Sequence, residues 1–99
     1  MELTLSDAVK IAPDVLFQEV AGEIVLLDLA GECYFGLDEV GTRIWTLLRE
    51  HEKIRSVYEI MLKEFNVEPA RLQADLLAHI GELAEAGLVT LDPVHATTP

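Results

Sequence analysis

Three short segments in the first half of the chain have the hydrophobic patterns of β-strands. The segment DVLFQEV, residues 14–20, alternates between two faces, and so does ECYFGL, residues 32–37. Between them, EIVLLDL, residues 23–29, is apolar on both faces, as in a central strand that is covered on two sides. An Ala-Gly dipeptide separates each pair of segments and suits a tight turn. The pattern therefore predicts a three-stranded antiparallel meander.

The second half of the chain has the three-to-four-residue period of amphipathic helices. Asp38 is a favourable N-cap, and apolar residues recur at helical spacing from there to about Glu50. A second helical pattern covers residues 54–65. A third begins at Pro69, which suits the first turn of a helix, and ends at Gly87, which suits a left-handed C-terminal stop. Three helices are predicted.

These segments together predict an α+β fold that is winged helix-turn-helix-like, with a three-stranded antiparallel sheet followed by three helices. We expect residues 1–13 to form a loosely patterned lead-in and residues 14–91 to form the domain, which ends in a short extended piece. Residues 92–99 have nothing to bury and are expected to be a disordered tail. If the strands pair in chain order, residues 32–37 lie at an edge of the sheet with unpaired backbone groups.

The charge of the chain restricts its partners. Its 99 residues include 18 acidic and 7 basic ones, for a net charge of −11, which repels a phosphate backbone. The third helix, which would enter a DNA groove in a winged-helix protein, carries only Arg71 as a permanent cation. Nucleic acid is therefore not an expected partner. No apolar run approaches the length of a membrane span, so we expect a soluble cytoplasmic protein.

Residues that could carry out catalysis or hold a cofactor are sparse. Cys33 is the only cysteine, so no internal disulfide or thiolate metal cluster is expected, and we predict a small half-buried hydrophobe there. His51, His79 and His95 lack a metal-binding spacing, and His79 falls near the apolar stripe of the third helix, at the edge of the core or in a groove. Phosphate-binding glycine motifs are absent. A Cys–His nucleophile stays formally open, but the pattern favours a binding protein without metal or cofactor over an enzyme.

Two segments resemble motifs of the PqqD-like family of precursor-peptide recognition elements. They are FGLDEVGTRIWTLL, residues 35–48, and DLLAHIGELAEAGL, residues 75–88. The family patterns, [YF]-x-L-[ND]-x-x-G-x-x-[IV]-W-x-L-L and D-[VL]-x-x-x-[LI]-x-x-L-x-x-x-G-L, are matched by Phe35, Leu37, Asp38, Gly41, Ile44, Trp45, Leu47 and Leu48, and by Asp75, Leu76, Ile80, Leu83, Gly87 and Leu88. The chain departs from the family at Glu68, where a better helix cap is usual, and at His79, where an apolar residue is common.

The resemblance implies a non-catalytic protein that captures the leader segment of a ribosomally made precursor peptide and presents it to modifying enzymes. A free-standing chain of this length is similar to the version that accompanies lasso-peptide leader peptidases and cyclases. The alternatives are a partner of a radical-SAM maturase in quinone-cofactor synthesis, or an acidic winged-helix adaptor or regulator. An exposed edge strand also permits self-pairing, which leaves a homodimer through that edge open.

An edge strand beside a helix forms a trough in which an extended peptide can add as one more strand. We expect the leader to pair antiparallel to residues 32–37 and to lay its apolar side chains against the third helix. About half of the residues named for this site should touch peptide, because alternate strand positions face the core. The predicted peptide-binding residues are Glu32, Cys33, Tyr34, Phe35, Gly36, Leu72, Asp75, Leu76 and His79.

Overall fold

Five strands and three helices make up the computed structural model, which describes residues 3–29 and 31–92, the side chain of Asp92 excepted. The strands are β1 (Ala8–Ile11), β2 (Val15–Val20), β3 (Glu23–Asp28), β4 (Cys33–Gly36) and β5 (Val89–Asp92). The helices are α1 (Glu39–Glu50), α2 (Ile54–Glu64) and α3 (Pro69–Glu85). The predicted α+β architecture, with three antiparallel strands followed by three helices, is confirmed.

The strands of the predicted meander pair in chain order, β2-β3-β4, so β2 and β4 are its edges. The hairpin between β2 and β3 turns through Ala21 and Gly22, whose φ angles of 55° and 86° both lie in the left-handed region. In the register, Leu27 of β3 pairs with Leu16 on one side and with Tyr34 on the other. Side chains of paired residues share one face of the sheet, so these three form a row.

Helix α1 packs against one face of this sheet, which we call the inner face. Ile24 and Leu26 of β3 are buried there. The Thr42 hydroxyl of α1 accepts a hydrogen bond from the backbone N–H of Ile24 at 3.0 Å. At the other end of α1, the Arg49 guanidinium lies 4.1 Å from the centre of the Phe17 ring, in a cation–π contact. These contacts fix the sheet on the helix.

The opposite, outer face of the sheet is not covered as the two-sided apolar pattern of β3 predicts. Val25 and Leu27, which point to that face, are only half-buried, whereas Leu26 is 0% exposed. Across the sheet from Leu27, Leu16 is 53% exposed and Tyr34 is 74% exposed. The expectation of a central strand covered on both sides is wrong because α1 covers the inner face alone.

Helix boundaries follow the predicted capping residues. The Asp38 carboxylate accepts a hydrogen bond from the Gly41 N–H at 2.7 Å and caps α1. Glu68, at the start of α3, makes no side-chain cap, and Pro69 occupies the first turn. At the end of α3, Gly87 has a φ of 81°, and the Leu88 N–H donates to the Leu83 carbonyl at 2.9 Å. This is a Schellman motif, and it confirms the predicted stop.

The N-terminal segment contains a strand that the sequence pattern does not predict. Strand β1 pairs antiparallel with β5, and its Val9 is 1% exposed. The Val9 N–H donates to the Glu52 carbonyl at 2.9 Å, which ties β1 to the connection between α1 and α2. The lead-in is therefore part of the packed structure. Of the predicted disordered tail, residues 92–99, all but Asp92 lie outside the described residues.

The core lies among the inner face of the sheet, the three helices and the second, two-stranded sheet. Trp45 is 0% exposed and is one of the central side chains of this core. The apolar pair that follows α3 also folds back into the core, since Leu88 is 0% and Val89 2% exposed. The largest fully buried side chains are Trp45, Leu26, Leu47, Ile54, Met61, Leu76, Ile80, Leu88, Val9, Val57 and Val89.

Candidate functional site

The backbone of β4 presents hydrogen-bonding groups at an edge of the sheet that no strand within residues 3–29 and 31–92 covers. The Leu37 N–H donates to the Ile24 carbonyl at 2.8 Å, which makes these two residues a hydrogen-bonded pair. In an antiparallel ladder such pairs alternate with pairs that exchange no hydrogen bonds. The N–H and C=O of Phe35 therefore face β3, whereas those of Tyr34 and Gly36 face away from it. Two residues thus offer a donor and an acceptor each to an added strand.

A groove runs between this edge and the C-terminal half of α3. Its volume is about 460 Å³. Side chains from β4 form one wall, and side chains spaced three or four residues apart on α3 form the other, with Leu88 beyond the helix. We call this the β4–α3 groove; it is lined by Tyr34, Phe35, Gly36, Leu37, His79, Glu82, Leu83, Ala86 and Leu88. Most of these side chains are apolar, as in grooves that accept alternate side chains of an extended peptide.

His79 is the half-buried polar residue of the groove. Its imidazole packs on Gly41, and its Nε2 atom is buried without a hydrogen bond to any group in the described part of the chain. Burial lowers the pKa of His79 below the ordinary histidine value, and the nearby carboxylates of Glu82 and Asp38 oppose that shift. His79 is therefore neutral near pH 7 and adds weakly polar, largely aromatic surface to the groove.

The predicted peptide-binding residues divide into two groups by position. Four of them, Tyr34, Phe35, Gly36 and His79, line the β4–α3 groove. The other five do not line it. Glu32 and Cys33 are exposed near the start of β4. Asp75 is exposed on α3, with its carboxylate 3.6 Å from the guanidinium of Arg71. Leu72 and Leu76 are buried, at 7% and 1% exposure. The two leucines therefore pack in the core and expose little surface to a peptide.

Cys33 is more accessible than the sequence pattern predicts. We expect a half-buried hydrophobe there, but its side chain is exposed, with the Sγ 3.2 Å from the Gly31 carbonyl oxygen. Cys33 is the first residue of an edge strand and pairs with the polar Asp28, whereas Phe35 pairs with the buried Leu26. Its place at the edge, opposite a polar residue, explains the exposure.

Five residues that line the groove are missing from the predicted set. They are Leu37, Glu82, Leu83, Ala86 and Leu88. Three of them, Glu82, Leu83 and Ala86, follow His79 at helical spacings of three, four and seven, so they lie on the same side of α3. The helical spacing in the sequence therefore indicates these three residues. They are included if the predicted site extends from His79 toward the C-terminus of the helix instead of toward its N-terminus.

Within residues 3–29 and 31–92, no three His, Cys, Asp or Glu side chains come close enough together to hold a metal ion. None of the helices in that part of the chain is long and apolar enough to cross a membrane. The distinguishing features of the site are thus an unpaired strand edge and an apolar groove beside it.

The family model for Coenzyme PQQ synthesis protein D (PqqD) matches residues 23–89. The chain belongs to the PqqD family. The match begins at the first residue of β3 and ends at the first residue of β5, so it contains both β4 and α3. The whole β4–α3 groove therefore lies within the part of the chain that is characteristic of PqqD proteins, and the predicted family is confirmed.

Two solved structures are similar to this PqqD-family chain. "TbiB1 in Complex with the TbiA(beta) Leader Peptide" is 35% identical, with a TM-score of 0.78, over 81% of this chain and 93% of that one. "Lasso peptide synthetase B1 complexed with the leader peptide" is 22% identical, with a TM-score of 0.76, over 84% of this chain and 98% of that one, and it supports the fold alone. Among proteins with curated descriptions, none is similar enough to count as a match.

Proposed function

We propose that this PqqD-family chain is a non-catalytic protein that binds the leader segment of a precursor peptide by strand addition and presents it to modifying enzymes. The observation that carries the proposal is the outward-facing backbone of Tyr34 and Gly36 beside the apolar β4–α3 groove. The similarity to TbiB1, which was solved with a leader peptide, supports it.

Affinity in this proposal comes mainly from the backbone. A leader strand that pairs with β4 exchanges hydrogen bonds with the N–H and C=O groups of Tyr34 and Gly36. Each such bond contributes a net free energy of about 0.5–1.5 kcal/mol and depends little on the side chains of the leader. Strand addition therefore tolerates variation in the leader sequence.

Specificity comes from the side chains of the leader. Residues that pair with each other across a ladder share a face of the sheet. A leader residue opposite Phe35 therefore points to the inner face, into the β4–α3 groove, where Leu83 and His79 lie. Leader residues opposite Tyr34 and Gly36 point to the outer face. The groove selects alternate leader residues, and it favours apolar ones because its lining is mostly apolar.

The modifying enzyme that best suits the proposal is a leader peptidase or cyclase of lasso-peptide synthesis. The resemblance to the lasso-type members of the family favours this choice over a radical-SAM maturase, the partner expected from the name of the family model. A binding comparison separates the two. We expect a synthetic lasso leader encoded beside this gene to bind, and a quinone-cofactor precursor peptide to bind at least about tenfold more weakly, a difference of about 1.4 kcal/mol.

Proline substitutions test strand addition directly. Tyr34→Pro and Gly36→Pro each remove an N–H that faces outward and contributes nothing to the β3–β4 ladder. We expect each to weaken binding of a fluorescent synthetic leader, measured by polarisation, by about tenfold or more, since a strong hydrogen bond and a close strand approach are both lost. Thermal unfolding should change little.

Phe35→Pro is the matched control. Its N–H faces β3, so the substitution removes a ladder bond inside the protein and should lower the melting temperature clearly. Unchanged leader affinity in both Tyr34→Pro and Gly36→Pro, with folding intact, is the result that would overturn strand addition at β4.

A salt titration distinguishes leader binding from nucleic-acid binding by a winged-helix regulator. Affinity for DNA falls steeply with salt because counterions are released, whereas hydrogen bonds and apolar contacts respond weakly. We expect leader affinity to stay within about twofold from low to moderate salt, which is less than about 0.5 kcal/mol.

A further inference from the structure

The outer face of the three-stranded sheet is an exposed apolar surface. Its centre is the row that Leu27 forms with Leu16 and Tyr34 across β2, β3 and β4. Leu16 is 53% exposed and Tyr34 is 74% exposed, while Val25 and Leu27 are half-buried between the neighbouring strands. Together with Gln18 they line a shallow depression of about 330 Å³. Exposed apolar surface of this kind, continuous across three strands, marks an interaction site more often than single exposed hydrophobic residues do.

The charged residues in the segment that forms this sheet are all acidic. Residues 14–36, which contain all three strands and their turns, include no lysine or arginine. The same range includes five acidic residues, Asp14, Glu19, Glu23, Asp28 and Glu32. The basic side chain that contacts these strands from α1, Arg49, lies over Phe17 on the inner face. Glu19 and Asp28 fall in the inner-face register, so the charges of the outer face and its flanking turns are those of Glu23, Asp14 and Glu32, all negative.

This distribution of charge argues against a second copy of the chain as the occupant. Two copies that met through their outer faces would bring Glu23 and the flanking Asp14 and Glu32 of one sheet near those of the other, within molecules that each carry a net charge of −11. Like charges at an interface oppose association. A complementary partner needs an apolar centre bordered by lysine and arginine.

A bound leader would extend the outer face. Leader residues that pair with Tyr34 and Gly36 direct their side chains to the same face as Tyr34. They would therefore prolong the row of Leu16, Leu27 and Tyr34 by one more strand. The loaded sheet would offer one continuous surface, made partly of protein and partly of leader, which the unloaded protein lacks.

We propose that the outer face of the β2-β3-β4 sheet is the docking surface for the enzyme that receives the leader, and that this enzyme contributes an apolar face bordered by lysine and arginine. The proposal rests on the proposed function, because it takes the leader to be bound at β4. It assigns the two faces of the sheet separate roles. The inner face and the β4–α3 groove select the leader, and the outer face recruits the enzyme to the loaded complex.

The test compares Leu16→Glu with Val67→Glu. Leu16 lies on β2, away from both β4 and the groove, and Val67 lies between α2 and α3 with 44% exposure against 53% for Leu16. Both variants replace an exposed apolar side chain and add one negative charge. The assay measures binding of the purified leader peptidase encoded beside this gene to each protein loaded with synthetic leader. Leader affinity and thermal unfolding are measured for each variant in parallel.

We expect Leu16→Glu to weaken binding of the peptidase by about tenfold or more, and Val67→Glu to leave it within about twofold. Leader affinity should be unchanged in both. Leu16→Thr, which suits a strand and adds no charge, should fall between the wild type and Leu16→Glu. This third variant separates loss of apolar contact from any effect of the glutamate on folding.

Equal peptidase binding by wild type and folded Leu16→Glu would overturn the proposal. A wild-type dimer that Leu16→Glu converts to monomers, with peptidase binding unaffected, would also overturn it and would assign the face to a second copy. Failure of the wild type to bind leader is a different result: it contradicts the proposed function itself. The two failures are therefore distinguishable in one set of measurements.

Discussion

The imidazole of His79 packs directly on the backbone of Gly41, so that a Cβ atom placed on Gly41 would lie 3.3 Å from His79 Cε1. The same Cβ would lie 3.2 Å from the Asp38 carboxylate oxygen that caps α1. The first turn of α1 and the groove side of α3 therefore meet through a residue that has no side chain. This contact helps to set the position of His79 beside β4.

Gly41→Ala should destabilise the protein despite the better helix propensity of alanine. Replacing glycine in a helix with alanine contributes about 0.5–1 kcal/mol, but forcing extra volume into a packed site costs about 1–3 kcal/mol. We expect a net loss of about 1 kcal/mol in the free energy of unfolding, measured by urea denaturation. Leader affinity should also fall, because the new methyl group displaces His79 at the groove.

Gly81→Ala is the control for this prediction. Gly81 is also helical, but among the described residues a Cβ there would meet only Leu3 Cδ1, at 3.9 Å, an ordinary van der Waals distance. We expect this variant to be more stable than the wild type by about 0.5–1 kcal/mol. Equal effects of the two substitutions would show that the close contact at Gly41 has no energetic consequence.

The half-buried His79 should make stability depend on pH on the acidic side of neutrality. Burial holds its pKa in the folded protein below the value near 6.5 that it has in the unfolded chain. Between those two values the unfolded chain binds more protons than the folded protein, so the free energy of unfolding decreases as the pH falls. The contribution of the neutral His79 to the free energy of unfolding is therefore complete above pH 6.5. It is lost as the pH falls from 6.5 to below the pKa of His79 in the folded protein.

The corresponding measurement is the free energy of unfolding as a function of pH for the wild type and for His79→Gln. Glutamine does not titrate, so we expect the variant to show a shallower decrease below pH 6.5. The difference between the two curves isolates His79 from the other titrating residues. Parallel curves for the two proteins would contradict the lowered pKa.

The two faces of the sheet should respond differently to the loss of a side chain. Leu26 is 0% exposed on the inner face, and Leu26→Ala should cost about 2–5 kcal/mol because it leaves a cavity in the core. Its neighbour Leu27 points to the outer face, where it is half-buried. We expect Leu27→Ala to cost less than about 2 kcal/mol in chemical denaturation, because solvent already reaches that face. A larger loss for Leu27→Ala than for Leu26→Ala would mean that the outer face is covered.

Local patterns determined much of the fold from the sequence. Two-residue alternation identified β2 and β4, a short apolar run between two turns identified β3, and helical spacing identified α1, α2 and α3. The ends of α1 and α3 were predictable because Asp38 and Gly87 act within their own turns, through a side-chain cap and a left-handed φ. The motif from Phe35 to Leu48 also indicated the family. Each of these signals depends on residues a few positions apart.

The tertiary structure decided what depends on distant parts of the chain. Strand β1 is only four residues long and finds its partner β5 about 80 residues later, as in the pair Lys10 and Thr90, so no local pattern predicts it. The two apolar faces of β3 look alike in sequence, and only the position of α1 shows which one is buried. Likewise the path of α3 past β4 decides that His79, Glu82 and Leu83 face the groove while Leu72 and Leu76 enter the core. Periodicity defines the faces of a strand or a helix, but packing against other elements determines which face meets a partner.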